Sequence, residues 1–288
     1  MIIVTGASGK LGQITVEKLL ERMPAEQLGV SVRDPQKMQF LQEKGVRIRQ
    51  GDYNDTDSLA YAFEGASQVL VVSSDGGFGE ANVQLHRNAI DAAKKAGANR
   101  ILYTSHMGSS KSSYFAPMKD HAATEEALQA SGVPFVSLRN GFYTASALMF
   151  LGDALSTGEL IAPEDGPVSW TAHLDLAEAA AIALSDQRFN GLSPGLTATE
   201  AVDLAGVAAI ASELTGRPIR RLFVSDDTYR DTLISYGTPE AQANMLLGIF
   251  RASREGEFAR VDPTLAKLLG RPTLSVRDIL KASIDAAK

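Results

Sequence analysis

Short apolar runs alternate with amphipathic segments through the first half of the chain. The run at 2–4 is followed by apolar side chains at about every third or fourth position between Leu11 and Met23, which is the spacing of one helix face. The run at 69–72 is apolar throughout, as in a strand covered on both faces. The pattern predicts strands at 2–4, 28–32, 46–48, 69–72, 101–104 and 135–138, and helices at 11–23, about 55–63, 81–96 and 119–130.

Strands that alternate with helices favour right-handed β-α-β units, in which the strands are parallel and helices cover both faces. We therefore predict an α/β fold, a Rossmann-type doubly wound parallel sheet. After about residue 140 the pattern changes: 151–167 is rich in Gly and Pro and is predicted to be irregular, and helices dominate beyond 198 with one strand at 219–224. The predicted organisation is a sheet domain of residues 1–140 and about 166–195, with a smaller, mainly helical C-terminal lobe of about 141–165 and 196–288.

Composition excludes several classes of function. The 288 residues include no Cys, which excludes disulfides, thiolate zinc sites and cysteine nucleophiles. Lys and Arg number 28 against 34 Asp and Glu, so the formal charge is −6, and no basic run offers a surface for nucleic acid. No apolar stretch reaches the ~20 residues of a membrane span, and no basic segment precedes the first apolar run as in a signal peptide. We expect a cytoplasmic protein without a metal site, in which His86 packs in the core.

The most informative segment is the glycine-rich turn after the first strand. Gly6 allows a tight turn, Gly9 lets a pyrophosphate approach the backbone, and Gly12 permits close packing of the helix on the sheet. The helix N-terminus would then present N–H groups and the positive end of its dipole to the phosphates. The predicted dinucleotide-binding residues here are Gly6, Ala7, Ser8, Gly9, Lys10, Leu11 and Gly12.

The end of the second strand bears on the choice of cofactor. A site for NAD(H) usually has Asp or Glu there, to bond the 2′-hydroxyl of the adenosine ribose. Arg33 stands at this position instead, and a guanidinium can bind a 2′-phosphate through two hydrogen bonds. Asp34 follows directly, and its carboxylate favours NAD(H) instead. The balance predicts NADP(H) over NAD(H).

Two further strand ends lie where ligands of such sheets bind. After the third strand, Asp52 and Tyr53 could contact the adenine, with the carboxylate accepting from the adenine amino group. Asp52 could instead cap the next helix, although Asp55 fits that role better. The loop after the fourth strand could contact the cofactor through its backbone or be a flexible turn. Its candidate residues are Ser73, Ser74 and Asp75.

Several segments together carry a family resemblance. They are the glycine turn, Val32-Arg33, Gly51-Asp52-Tyr53, Tyr103-Thr104-Ser105, His121-Ala122-Ala123-Thr124-Glu125, Leu138-Arg139-Asn140-Gly141-Phe142-Tyr143 and Lys267-Leu268-Leu269-Gly270-Arg271-Pro272-Thr273. The chain resembles the NmrA-like group of atypical short-chain dehydrogenase/reductases, and within it the bacterial NADPH-dependent quinone oxidoreductases and triphenylmethane dye reductases. The likeness covers nearly the whole chain and is more specific in the first half.

The resemblance implies an NADP-binding reductase in which residues 140–145 pass beside the nicotinamide. His173 stands where relatives carry an Arg near the cofactor and is assigned to the same contact. The other cofactor contacts that the resemblance implies are Thr104, Ser105, His121, Asn140, Gly141, Phe142 and Tyr143.

The superfamily's usual proton donor is missing. Ordinary members use a Tyr-x-x-x-Lys pair, in which the Tyr protonates a carbonyl and the Lys holds the ribose. By the resemblance, Pro117 takes the Tyr position and His121 the Lys position, while Tyr114 and Lys119 are five apart and do not restore the pair. Because proline has no proton to give, we expect acceptors that take a hydride without a paired acid. A quinone becomes a phenolate-like anion, and a cationic triarylmethane dye becomes neutral.

Candidate substrate contacts are aromatic or titratable residues near the expected nicotinamide. Phe142 and Tyr143 could stack on a planar acceptor or pack internally, and Trp170 could line the site or belong to the core. His106 follows the fifth strand, where it could line the site or close a loop. His121 and Tyr143 are the candidates for acid catalysis, although the position of His121 favours a role in holding the ribose.

The expected function is hydride transfer from NADPH to a small planar electrophile such as a quinone, by a monomer or homodimer. Two alternatives stay open. A non-catalytic NADP(H)-binding redox sensor of the NmrA-like type would also lack the Tyr–Lys pair. A sugar-nucleotide epimerase or dehydratase would require it.

Overall fold

The computed structural model describes residues 1–74, 77–186, 189 and 191–286, and the chain divides into two compact units. The first comprises Met1–Lys111, Lys119–Asn140 and His173–Gly195, and the second comprises Ser112–Met118, Gly141–Ala172 and Leu196–Lys288. The sequence pattern assigns 112–118 and 166–172 to the sheet domain, whereas the structure places them in the second unit. The reason is apolar burial, because Phe115, Met118, Val168 and Trp170 all belong to the core of the second unit.

The first unit is built on a parallel sheet. The strands of the described residues are β1 (Ile2–Thr5), β2 (Leu28–Val32), β3 (Arg47–Gln50), β4 (Gln68–Val71), β5 (Arg100–His106), β6 (Phe135–Asn140), β7 (Phe142–Tyr143), β8 (Glu159–Ala162), β9 (Trp170–Thr171), β10 (Gly195–Leu196) and β11 (Arg220–Phe223). Seven of them form one sheet in the order β10-β6-β5-β4-β1-β2-β3. The neighbours among β1 to β6 are parallel. The predicted α/β fold is therefore confirmed.

The direction of the strand order reverses between β1 and β4. In an open parallel sheet, a ligand binds beyond the carboxyl ends of the strands at such a switch point. The glycine turn follows β1, and the serine loop follows β4, so both predicted segments lie at this point.

Helices cover the sheet and supply most of the second unit. They are α1 (Lys10–Leu20), α2 (Gln39–Gln42), α3 (Thr56–Phe63), α4 (Glu80–Lys95), α5 (Ala116–Ser131), α6 (Thr144–Leu151), α7 (Ala154–Thr157), α8 (His173–Ser185), α9 (Leu204–Thr215), α10 (Asp226–Ser235), α11 (Glu240–Arg254), α12 (Thr264–Leu269) and α13 (Val276–Ala286). Asp55 caps α3 as expected, because its carboxylate accepts from the N–H groups of Asp57 and Ser58.

The expectation that 151–167 is irregular was wrong. This segment holds the end of α6, then α7 and β8, and β8 pairs in parallel with β11. Leu160 and Ala162 are buried while Ile161 between them is exposed, so β8 has the alternation of a half-buried strand. Four residues between Gly158 and Pro163 are too few for that alternation to stand out from a Gly- and Pro-rich background.

Candidate functional site

The glycine turn is packed as tightly as its sequence predicts. Gly6 has φ +59°. The N–H of Gly9 donates to the Gly6 carbonyl at 3.0 Å. A Cβ at Gly12 would lie 2.4 Å from the Gly6 oxygen, so only glycine fits there. Gly12 was expected to permit close packing of the helix on the sheet. The close approach that it permits is instead to the backbone of the turn itself.

The space in front of α1 suits an anion. Gly9 is the N-cap of this helix, no side chain caps it, and its first turn has no acidic residue. A Cβ at Gly9 would meet only the Gly6 oxygen, at 3.4 Å. The first N–H groups of α1 and the positive end of its dipole therefore face a cradle that fits a pyrophosphate. Ala7 is fully buried behind the turn, while Ser8 and Lys10 are exposed.

His173 lies near Lys10 at the start of α8. Burial, and secondarily the charge of Lys10, lower the pKa of His173 to about 4. Its imidazole is therefore neutral at physiological pH, where the Arg of relatives would be charged. The positive charge beside His173 is therefore that of Lys10.

The end of β2 leaves Arg33 available. Arg33 is exposed, and among the described residues it has no hydrogen-bond or ion-pair partner. Asp34 is turned to its own loop, where its carboxylate accepts from the N–H of Gln36 at 3.1 Å and lies 3.9 Å from the Lys37 ammonium. The carboxylate that argued for NAD(H) is thus engaged locally.

The two candidate residues at the end of β3 have local hydrogen-bond partners. The Asp52 carboxylate accepts from the backbone N–H of Asn54 at 2.8 Å, as in an Asx turn, and is half-buried. The Tyr53 hydroxyl lies 2.6 Å from Thr5 Oγ1 and donates to the Val72 carbonyl at 2.8 Å, and burial raises the pKa of Tyr53 above its usual value. This hydroxyl therefore joins the ends of β1 and β4, and a contact of Tyr53 with the adenine stays a prediction.

The loop after β4 is anchored from two sides. The N–H of Ser73 donates to Thr104 Oγ1 at 2.8 Å, and the N–H of Ser74 donates to His86 Nε2 at 2.9 Å. His86 is buried, as predicted, and burial lowers its pKa to about 4. Thr104, assigned to the cofactor by resemblance, thus also positions this loop. Asp75 lies outside the described residues.

Two side chains of β5, Tyr103 and His106, contact His121 of α5. Tyr103 is fully buried, and its hydroxyl lies 2.8 Å from His121 Nδ1. His106 stacks on His121 with ring centroids 6.1 Å apart, and burial lowers its pKa to about 3. Burial, together with His106 and His86, lowers the pKa of His121 well below its usual value. All three of these imidazoles are therefore neutral at physiological pH.

Ser105 is engaged by a neighbour that sequence reasoning missed. Its hydroxyl donates to Glu125 Oε1 at 2.6 Å, and Arg139 binds the same carboxylate through Nε at 3.0 Å and Nη2 at 2.7 Å. Asn140, the last residue of β6, is buried, and its Oδ1 has no hydrogen-bond partner among the described residues. An unsatisfied buried acceptor at the carboxyl edge of the sheet suits an amide donor from a ligand.

In the second unit, two expected substrate contacts are core residues. The Phe142 ring packs against Phe115, Trp170 and Phe258 with centroids 5.1 to 5.9 Å apart. Trp170 is 2% exposed, and its Nε1 donates to the Val202 carbonyl. Both rings therefore pack in the core, which is one of the two alternatives that the sequence left open. Tyr143 is half-buried, and its role stays a prediction.

Gly141 is required by its surroundings. A Cβ there would lie 2.1 Å from Thr171 Oγ1, within the second unit.

Within residues 1–74, 77–186, 189 and 191–286, no group of three or more His, Asp or Glu could hold a metal ion. None of the helices described is long and apolar enough to cross a membrane.

Comparison with known proteins gives consistent matches. Residues 6–158 match a family model described as NAD(P)H-binding. Quinone oxidoreductase 2 of Escherichia coli K12 is 34% identical over 279 residues, which cover 96% of each chain. An NmrA-like family domain-containing oxidoreductase of Aspergillus flavus, flvB, is 28% identical over 97% of this chain and 93% of that protein.

Solved structures agree with these matches over nearly the full length. The NADPH-dependent quinone oxidoreductase of Escherichia coli in complex with NADPH has a TM-score of 0.93 and 32% identity, covering 99% of this chain and 100% of that one. The triphenylmethane reductase of Citrobacter sp. with NADP(H) has a TM-score of 0.91 and 29% identity, covering 98% and 100%.

Proposed function

The chain belongs to the NmrA-like family of NAD(P)H-binding oxidoreductases, and from this premise we propose that it transfers a hydride from NADPH to a quinone or a quinone-like dye. The observation that carries the proposal is that α5 has no tyrosine to act as the proton donor. Pro117 stands in the first turn of that helix, and the His121 imidazole, one turn further on, is held neutral by burial. The relatives named for quinone and dye reduction support the same acceptor class.

The residues at the carboxyl edge of the sheet have the chemistry to hold each part of the cofactor. The N-terminus of α1 and Lys10 would bind the pyrophosphate, and Arg33 would bind the 2′-phosphate and so favour NADPH over NADH. His121 would hold the nicotinamide ribose, and Asn140 Oδ1 would accept from the carboxamide.

NADPH supplies the hydride when it is bound. What the chain contributes is position, because fixing two reactants in a reactive geometry can lower a barrier by up to about 7–11 kcal/mol. A reduced quinone leaves as an anion that water protonates, so no side chain has to give a proton in the same step.

Steady-state assays with a panel of acceptors test the proposal. We expect NADPH-dependent reduction of benzoquinones and of a triphenylmethane dye, and no reduction of simple ketones. Between pH 6 and 8 the rates should show no acid limb, since the pKa of His106 is about 3 and that of His121 is also lowered. Reduction of ketones would contradict the missing acid. Tight NADPH binding without turnover on any quinone or dye would instead favour the redox-sensor function.

A further inference from the structure

A hydrogen bond behind His121 limits how this ring can act. Tyr103 projects from β5 and is fully buried; its hydroxyl lies 2.8 Å from Nδ1 of His121, and the Thr124 side chain also interacts with it. His121 is partly exposed, and its Nε2 has no protein partner within the described part of the chain. One ring nitrogen is therefore tied to the interior, and the other is left for a ligand.

The chemistry of the two groups decides where the proton lies. A phenol is a stronger acid than the N–H of a neutral imidazole, and an imidazole nitrogen is a stronger base than a phenol oxygen. These acidities favour donation from Tyr103 to Nδ1, which would place the proton of neutral His121 on Nε2. With Nδ1 committed in this way, Nε2 presents an N–H donor.

Thr124 is the other side chain that interacts with the Tyr103 hydroxyl, and the hydrogen bonds around it determine where its own proton goes. His86 Nε2 accepts from the N–H of Ser74 at 2.9 Å, so the proton of that imidazole lies on Nδ1 and is donated to Thr124 Oγ1. The Thr124 hydroxyl in turn donates to the Asp120 carbonyl at 2.8 Å. His106 Nδ1 accepts from the N–H of Gly108. Each of these groups already has a donor or an acceptor of its own.

We propose that Tyr103 is a positioning residue that holds His121 in the Nε2–H form, so that a neutral N–H donor takes the place of the family's lysine ammonium at the nicotinamide ribose. This inference rests on the proposed function for the identity of the ligand. A fixed tautomer matters because the other tautomer would turn a bare nitrogen, an acceptor, toward the same ribose oxygen.

The tautomer can be measured without any cofactor. The chain has 4 histidines, so ¹⁵N spectra of the imidazoles can be assigned with single His→Gln variants. We expect His121 in the unliganded protein to show a protonated Nε2 and an unprotonated Nδ1, and Tyr103→Phe to convert it to a mixture or to the Nδ1–H form. Tyr53→Phe removes another buried tyrosine hydroxyl and should leave the His121 signals in place. A wild-type Nδ1–H form, or His121 signals unchanged in Tyr103→Phe, would overturn the proposal.

NADPH affinity tests the consequence. Tyr103→Phe should weaken binding by about 2- to 10-fold, the effect of one hydrogen bond. In the His121→Gln background the same change should have little further effect, because Tyr103 acts through His121. Equal losses in both backgrounds would mean that Tyr103 is merely structural and would overturn the proposal, as would an unchanged affinity in Tyr103→Phe. If wild-type protein fails to bind NADPH, the proposed function fails, whereas the tautomer measurement still judges the Tyr103–His121 pair.

Discussion

Two glycines of the turn after β1 differ in what a side chain would meet. At Gly9, with φ −88°, a Cβ contacts only the Gly6 oxygen at 3.4 Å, so Gly9→Val should fold. The valine would nevertheless occupy the space in front of α1, and NADPH binding should be lost. At Gly12 the Cβ would lie 2.4 Å from backbone, so Gly12→Ala should lower the free energy of unfolding by about 1–3 kcal/mol. Calorimetric titration and chemical denaturation of both variants separate the two effects. Micromolar NADPH affinity in Gly9→Val would contradict the assignment of the turn.

Arg33 is the residue on which the choice of cofactor depends. A charge-assisted hydrogen bond contributes about 1.5–3 kcal/mol, so Arg33→Ala should weaken NADPH binding by roughly 10- to 150-fold and leave NADH binding nearly unchanged. Arg87→Ala is a control, because that half-buried arginine on α4 already pairs with Glu80. It should alter neither affinity. An equal loss for NADPH and NADH in Arg33→Ala would show that the guanidinium does not bind the 2′-phosphate.

The backbone of the site could be predicted from the sequence better than the contacts of its side chains. The glycine turn and Arg33 could be read directly, because each depends on one strand end. Tyr103 and His121 are 18 positions apart, on a strand and a helix, and no local pattern indicates that their side chains meet. The same holds for Glu125, which binds both Ser105 and Arg139. For Phe142 and Trp170 the sequence left both a core and a ligand contact open, because an aromatic side chain suits either, and the structure places both in a hydrophobic core.

At the scale of elements, long periodic segments were predictable and short ones were not. All six predicted strands of the sheet are present, whereas β10, with two residues, carries no detectable pattern of its own. An ion pair between β11 and the segment that follows β8 could not be predicted from local pattern either. Arg221 and Asp165 are each 7% exposed and 3.2 Å apart. Asp165 also accepts from the N–H of Leu204 at the start of α9.

This ion pair makes a prediction about the second unit. Removing the arginine leaves a buried carboxylate beside apolar atoms, and breaking a buried pair costs about 3–5 kcal/mol. Arg221→Met should therefore strongly lower the free energy of unfolding in chemical denaturation. Arg221→Met combined with Asp165→Leu should recover part of the loss, because no unpaired charge remains. A double variant as unstable as the sum of the two single variants would mean that the groups are not coupled.

At the scale of the whole molecule, buried histidines should make the fold sensitive to acid. Burial lowers the pKa of His86 from 6.5 to about 4, so below pH 6.5 the unfolded chain takes up a proton that the folded chain does not. Stability from this group is complete above pH 6.5 and is lost as the pH falls toward 4, by up to about 1.4 kcal/mol per pH unit. Asp120 acts in the opposite sense, because burial raises its pKa, but that contribution is common to wild type and a His86 variant. His86→Asn, whose amide can still donate to Thr124, should therefore be less stable at pH 7.5 yet lose less stability between pH 7 and 5 than wild type. Urea denaturation at several pH values measures the two slopes, and equal slopes would show that His86 does not titrate as its burial requires.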